Sequence, residues 1–203
     1  MTTVQIFGVA PSSYVRTTRM ACVEKGVQHT LEPVDFGSAT HLALHPYGRV
    51  PAMKHGDVHL VESAAIAFYL DAAFGGRSLV PSDPVALGQM HQALSVFNCY
   101  VYDDIVGQYL LPIIRKQANA ESIAAALPNV QKGLEWLESK LEGRDYLAGD
   151  ELSVADLTWG PAVAGLGHFP ETGKLIETLP NFRSWVSRLQ QRESAEFLYP
   201  PRG

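Results

Sequence analysis

Cysteine is scarce in this chain. Two residues in 203, Cys22 and Cys99, cannot build the disulfide framework of a small secreted domain. Neither has C-x-x-C spacing or metal-ligating companions, so no metal site is expected. The plain reading is two buried thiols in a reducing cytoplasm. Charge is sparse as well, at 18% of residues, with 16 Lys and Arg against 21 Asp and Glu and a net charge of −5. No Lys/Arg stripe is present, which argues against a nucleic-acid partner. No apolar run approaches the ~20 residues of a membrane span. The opening Met1-Thr2-Thr3-Val4 has no charged region followed by an apolar core, so no secretory signal is expected. What remains is ordinary globular composition, 46% hydrophobic, in a length that suits one large or two small domains.

The hydrophobic period changes once along the chain. Val4-Gln5-Ile6-Phe7 alternates as a strand, and Gly8 to Ser13 is a turn-rich loop with a Ser pair placed to cap a helix from Tyr14 to Gly26. His29 to Val34 alternates again, so strand, helix and strand imply a parallel crossover. After an irregular or weakly helical connection, Ala52 to His55 and Val58 to Val61 form a hairpin turned by Gly56-Asp57. A helix from Ser63 to Phe74 closes this half. The stretch from Gly75 to Pro84 is dense in Gly, Pro and Ser and reads as a linker. Beyond it Leu87, Met90, Leu94, Phe97 and Val101 recur by threes and fours on one face of a long helix, which Pro112 should kink or end. A second run carries Val130, Leu134, Leu137 and Leu141, and Pro128 predicts a break or a helix start within it. Phe182, Trp185, Val186 and Leu189 mark a helix after Pro180. The expected fold is a small mixed sheet with helices, βαβ then ββα, over residues 1–75. A linker over 76–84 and an all-helical domain over 85–203 follow.

Two stretches stand out. Ser153 and Asp156 form a capping box, with Leu152 and Leu157 as its apolar staple; this is a structural device, not a reactive site. The other runs from His45-Pro46-Tyr47-Gly48-Arg49-Val50-Pro51 to Val61-Glu62-Ser63. It brings a backbone edge at Val50 toward a helix N-terminus at Glu62-Ser63, where amide N–H groups attract anions.

In this order and at these separations, His45-Pro-Tyr-Gly-Arg-Val-Pro-Ala-Met53, Leu60-Val-Glu-Ser-Ala-Ala-Ile66 and Tyr146-Leu-Ala-Gly-Asp150 with Ser153-Val-Ala-Asp156 resemble the cytosolic glutathione transferase superfamily across the full chain. The resemblance implies a thioredoxin-like domain that binds glutathione and a helical domain that completes a pocket for a small, largely apolar electrophile. It also implies a cytoplasmic homodimer, with glutathione as co-substrate and no metal. Pro51 would be a cis proline turning the Val50 backbone toward the cysteinyl amide of glutathione. Glu62 and Ser63 would hold the γ-glutamyl end.

The loop Gly8-Val-Ala-Pro-Ser12-Ser13-Tyr14-Val-Arg16 resembles the serine classes (phi, theta and zeta), which implies Ser12 as thiol activator, Ser13 as the near alternative and Tyr14 as a distant third. Relatives of this type often anchor the glycyl carboxylate with a basic pair whose places here fall on Phe36 and Gly37. That leaves Arg49, or on chemistry alone His41, for the carboxylate; a packing role for His41 is the competing reading. Asp103-Asp104 could reach a partner subunit's glutathione or simply form a solvated helix face. The functions implied are conjugation; alternatively glutathione-dependent isomerisation, dehalogenation or ether cleavage; or a non-catalytic binding module on the same fold. The absence of Cys from the first loop argues against thiol–disulfide chemistry.

Overall fold

The computed structural model describes residues 3–201. Its first half is a four-stranded sheet in the order β2-β1-β3-β4, built from β1 (Val4–Phe7), β2 (His29–Glu32), β3 (Ala52–His55) and β4 (Val58–Val61). β1 and β2 are parallel, with Val4 opposite His29, whereas β3 runs antiparallel to both β1 and β4. The parallel pair is connected through α1 (Ser13–Glu24). α2 (Ala39–Leu44) lies in the connection to β3, and α3 (Ser63–Ala73) follows β4. Val4, Ile6 and Met53 on the sheet pack with Val15, Met20, Ile66 and Leu70 from α1 and α3, all fully buried. β2 ends at Glu32, short of Val34, because the Leu31-Glu32-Pro33 sequence puts a residue without an N–H at the strand's end.

The second half is helical. α4 (Pro84–Val96) is capped by Asp83, whose carboxylate accepts from the Val85 and Ala86 N–H groups at 3.0 and 2.9 Å. Its axis runs on into α5 (Leu111–Ile114), but between them Phe97–Val101 and Asp103–Leu110 bond i to i−5 rather than i−4. This wider winding is rare and concentrates at functional sites. Pro112 does end the rod, with Ile114 the last helical residue.

α6 (Ala120–Leu141) runs straight through Pro128 without the expected break. Asn119 and Ser122 form a reciprocal cap that secures the two turns before the proline. Pro128 and Ala124, whose carbonyl loses its helical donor, are both exposed, so the freed carbonyl is open to solvent. α7 (Val154–Val163), α8 (Pro170–Glu177) and α9 (Pro180–Gln190) complete the layer, with α9 burying Phe182, Trp185, Val186 and Leu189 as the periodicity predicts. Of the two cysteines, Cys22 is buried and its thiol pKa is pushed up to about 12 by desolvation. Cys99 is exposed, contrary to expectation, because its neighbours Phe97 and Val101 take the buried face of the widened helix.

Asp156 lies fully buried at the start of α7, and its carboxylate collects four donors. Ser153 supplies its N–H at 2.9 Å and its hydroxyl at 2.7 Å, and the Leu147 N–H and the Trp185 indole N–H each approach to 2.9 Å. The capping box therefore also ties the 146–149 turn and α9 to α7. Asp156→Ala should cost ~3 kcal/mol or more, because it removes a cap and strands buried donors. Urea unfolding checks this, and a stability within ~0.5 kcal/mol of the parent would refute it.

Candidate active site

The strand register decides where the site can form. Phe7 faces Ala52, and Ala52 faces Val61, so the end of β1, the start of β3 and the end of β4 lie at one end of the sheet. The loop to Ser12, the Val50-Pro51 pair and Glu62-Ser63 all leave the sheet there. Adjacent strands are ~4.8 Å apart, so β1 and β4 are separated by roughly 10 Å, the scale of a short peptide. α1 and α3 both begin at this end, with their free N–H groups and positive dipole ends.

Ser12 is the N-cap of α1, with extended backbone (φ −63°, ψ 127°), and its Oγ accepts from the Val15 N–H at 3.4 Å. An accepting hydroxyl keeps its own proton to give, and Ser12 is only half-buried. Ser13, one residue on, is 7% exposed, and its Oγ has no partner of hydrogen-bond geometry. The Tyr14 hydroxyl donates to Asn98 Oδ1 at 2.8 Å, and burial holds its pKa well above the ordinary range.

The Val50–Pro51 peptide is cis. A Cβ on Gly8 would stand 2.5 Å from Val15 Cγ2 and 3.4 Å from Val50 Cβ. The Val15 distance is a clash and the Val50 distance an ordinary contact, so it is the close approach to α1 that calls for glycine here. Glu62 is exposed, and its backbone is left-handed at φ 71°, a conformation that costs a non-glycine residue ~1–3 kcal/mol. It is held between the β4 register and the first turn of α3, where its carbonyl accepts from the Ile66 N–H at 2.9 Å. Ser63, the first residue of α3, is buried.

His41 does not present a free nitrogen to a ligand. It is 2% exposed; Nδ1 accepts from the Gly37 N–H at 3.2 Å, which leaves Nε2–H to donate to the Arg49 carbonyl at 3.0 Å. The packing reading is the right one, and it serves the site: the ring fixes the backbone one residue before Val50. Phe36, at one of the two places where the resemblance implies a basic pair, is 56% exposed and edge-on to His41. The Arg49 side chain is exposed. The pKa of His45 is lowered by burial; Glu62 opposes the shift, while His41, Arg49 and His59 reinforce it. Asp103 and Asp104 take hydrogen bonds from Gln108 and Asn129 on the helical surface. Among the described residues, no group of three or more His, Cys, Asp or Glu is placed to hold a metal ion.

This sheet, with two helix N-termini converging on a proline loop and a helical layer behind, is the architecture of a thiol-peptide-binding transferase. The glutathione S-transferase N-terminal domain family matches residues 6–78, and the C-terminal domain family matches residues 101–193. A probable glutathione S-transferase of Oryza sativa subsp. japonica is 30% identical, over 98% of this chain and 96% of the relative. Among solved structures, the theta-class glutathione S-transferase of Xanthomonas axonopodis pv. citri, with glutathione bound, is 28% identical. It has a TM-score of 0.80, over 97% of this chain and 96% of that one. Glutathione S-transferase-I bound with lactoylglutathione is 26% identical, with a TM-score of 0.82 over 97% and 98% of the two chains. The chain belongs to the cytosolic glutathione S-transferase superfamily, and its activity is that of a glutathione S-transferase.

Two site features escape the sequence. The backbone grip of His41 matches no motif, and the aromatic pair above α1, Tyr14 with Tyr102 stacked at 4.5 Å, joins residues far apart in the chain. Gly8→Ala should destabilise by ~1–3 kcal/mol through overpacking against Val15, and it should also raise the KM for glutathione. A melting curve and glutathione kinetics check both; a lowered Tm with an unchanged KM would show that the Gly8 contact does not govern the Val50 edge.

Proposed function

We propose that glutathione lies across this end of the sheet in the domain spanning residues 1–75, and that its thiol is bound as thiolate beside Ser12. The helical domain over 85–203, joined through 76–84, completes the pocket for a small, largely apolar electrophile, whose carbon the sulfur attacks. The observation that carries the reading is the half-buried Ser12 hydroxyl at the N-terminus of α1, with its proton free to donate.

A free thiol with pKa ~8.5 is only about 3% ionised at pH 7. One hydroxyl donor at a positive helix end favours the anion, and a shift of ~2 units corresponds to ~2.7 kcal/mol. Ser12 acts here as a donor and not as a nucleophile. Ser13 is the weaker candidate because its hydroxyl oxygen is buried away from the surface.

Val50, with Pro51 cis behind it, pairs its backbone with the cysteinyl amide, and Ser63 with the Glu62 turn takes the γ-glutamyl end. Arg49 takes the glycyl carboxylate, since Phe36 and Gly37 offer no charge and His41 is engaged with backbone. The protein works as a cytoplasmic homodimer in detoxification. Exposed Tyr47 and Tyr100 (81% and 70%) supply apolar surface for a second copy, and two unpaired cysteines suit a reducing compartment.

Ser12→Ala should lower kcat/KM toward an activated aryl halide by about 100-fold and raise the pKa of bound glutathione, followed by thiolate absorbance, by ~2 units. An unchanged rate sinks the assignment. Arg49→Ala should weaken glutathione binding by about tenfold, the loss of one charge-assisted hydrogen bond, while kcat stays within about twofold. Calorimetric titration and saturation kinetics separate the two effects; a loss confined to kcat would remove Arg49 from the carboxylate.

A further inference from the structure

Arg19, midway along α1, lays its guanidinium over the ring of Phe197, 3.9 Å from the centroid. Phe197 is buried and ends the helical turn Glu193–Phe197 near the C-terminus. The same guanidinium donates through Nε to His29 Nε2 at 3.3 Å, and the His29 ring stands edge-on to Phe197 at 5.9 Å. His29 opens β2, so a helix, a strand and the C-terminal turn meet at one aromatic ring. The tautomer of His29 is fixed from both sides. Its Nδ1 lies 3.4 Å from the Val27 carbonyl, which can only accept, so Nδ1 carries the proton and Nε2 offers its lone pair to Arg19.

A second proton on His29 has only Nε2 to go to, and that nitrogen already faces an N–H. The hydrogen bond would become a donor–donor contact between two half-buried cations. Among the described residues the charged groups that act on His29 are Arg19, from α1, and Glu196, from the C-terminal turn. Val4, opposite on β1, has no charge, and Cys22, one turn along α1 from Arg19, is held as a neutral thiol by burial. Burial lowers the His29 pKa most; the Val27 carbonyl opposes it, Arg19 adds to it, and Glu196, exposed and screened by solvent, opposes it.

We propose that His29, Arg19 and Phe197 form an acid-sensitive latch, which holds the C-terminal turn on α1 while His29 is neutral and releases it when His29 takes up a proton. The neutral ring anchors Arg19 flat on Phe197. Protonation drives the guanidinium off, and the turn loses both the cation on its aromatic face and the imidazole edge that braces it. The release reaches further than one side chain, because the next residue, Leu198, gives its carbonyl to the buried Arg16 at 2.6 Å. The sign follows from the direction of the shift. The docked turn favours the neutral ring, so the latch is fully closed above about pH 6.5 and its contribution is lost as the pH falls below that value. The inference does not depend on how glutathione is bound.

Hydrogen exchange of the intact chain, read by mass spectrometry from about pH 7.5 down to about pH 5 and corrected for intrinsic rates, tests this. Exchange in residues 193–199 should speed up by as much as about tenfold for each unit by which the His29 pKa lies below its ordinary value. The helix α6, remote from the latch in sequence, should keep its protection. His29→Gln, whose amide oxygen can accept from Arg19 and cannot titrate, should hold the turn across the whole range, and Arg19→Gln should leave it loose throughout. A wild-type turn whose corrected exchange ignores pH overturns the proposal. So does the same pH dependence in His29→Gln, or loss of protection in α6 together with the turn. A second measurement needs no variant to fold. Followed by NMR, His29 of the wild type should titrate below about 6.5, and a midpoint at or above that value would mean that the latch does not exist.

Discussion

A buried cation without a carboxylate holds this molecule together. Arg16, in the first half of α1, is 6% exposed and donates to the Pro161 and Leu198 carbonyls, each at 2.6 Å. An isolated buried charge is expensive, and burial lowers its pKa to about 10. What compensates is the placement of its partners. Pro161 lies in the last turn of α7, and Leu198 directly follows the helical turn Glu193–Phe197, so both carbonyls belong to the negative ends of helices. Nε has no partner, so the clamp is made by two bonds and by that field. It locks the sheet half to the helical half through the one helix whose N-terminus carries Ser12.

The other end of α1 is tied as firmly. Lys25 donates to Asp71 on α3 at 2.9 Å and to the Arg77 carbonyl at 2.7 Å, and Asp71 in turn accepts the Leu79 N–H at 2.7 Å. The Leu79 carbonyl accepts from Val154 at the start of α7, at 3.0 Å. Glu24 takes both a bidentate Arg192 and the Ser194 hydroxyl. The Glu24–Arg192 pair borders a polar cleft of about 490 Å³ that also includes Tyr146 and Arg188. That cleft is about 18 Å from Ser12, the length of twelve helical residues, and its charges are largely consumed by structure. α1 is thus pinned at both ends, which fixes the helix whose N-cap is Ser12.

Much of this was legible in the sequence wherever one residue type has one local physical meaning. Alternation located the strands, Ser153 and Asp156 announced the start of α7, and the Val50-Pro51 and Glu62-Ser63 pairs fall at one end of the sheet, where the proposed site lies. Pro128 misled, because its cost depends on whether water can reach the freed carbonyl, a fact of tertiary exposure. Cys99 misled for a related reason: the helical face it occupies depends on a change of winding that no residue in Phe97–Leu110 signals by itself. The buried role of Arg16 could not be read either, since its partners are backbone carbonyls well over a hundred residues away and leave no complementary acid in the sequence.

The same limit applies to the loop that the proposed function gives to the glycyl end of glutathione. Phe36 and Gly37 bring no charge to this loop, which must still hold the segment before Val50. His41 meets that need through neutral geometry, accepting from one backbone group and donating to another, so the order of the loop no longer depends on an ionised side chain. Phe36 covers the ring edge-on. On the proposed reading the electrostatic attraction for the glycyl carboxylate falls on Arg49, whose side chain is exposed while its own carbonyl is held by His41. Separating the rigid element from the charged one leaves the order of the segment before Val50 to the His41 bonds alone. Binding therefore need only order one arginine side chain and not the loop that carries it.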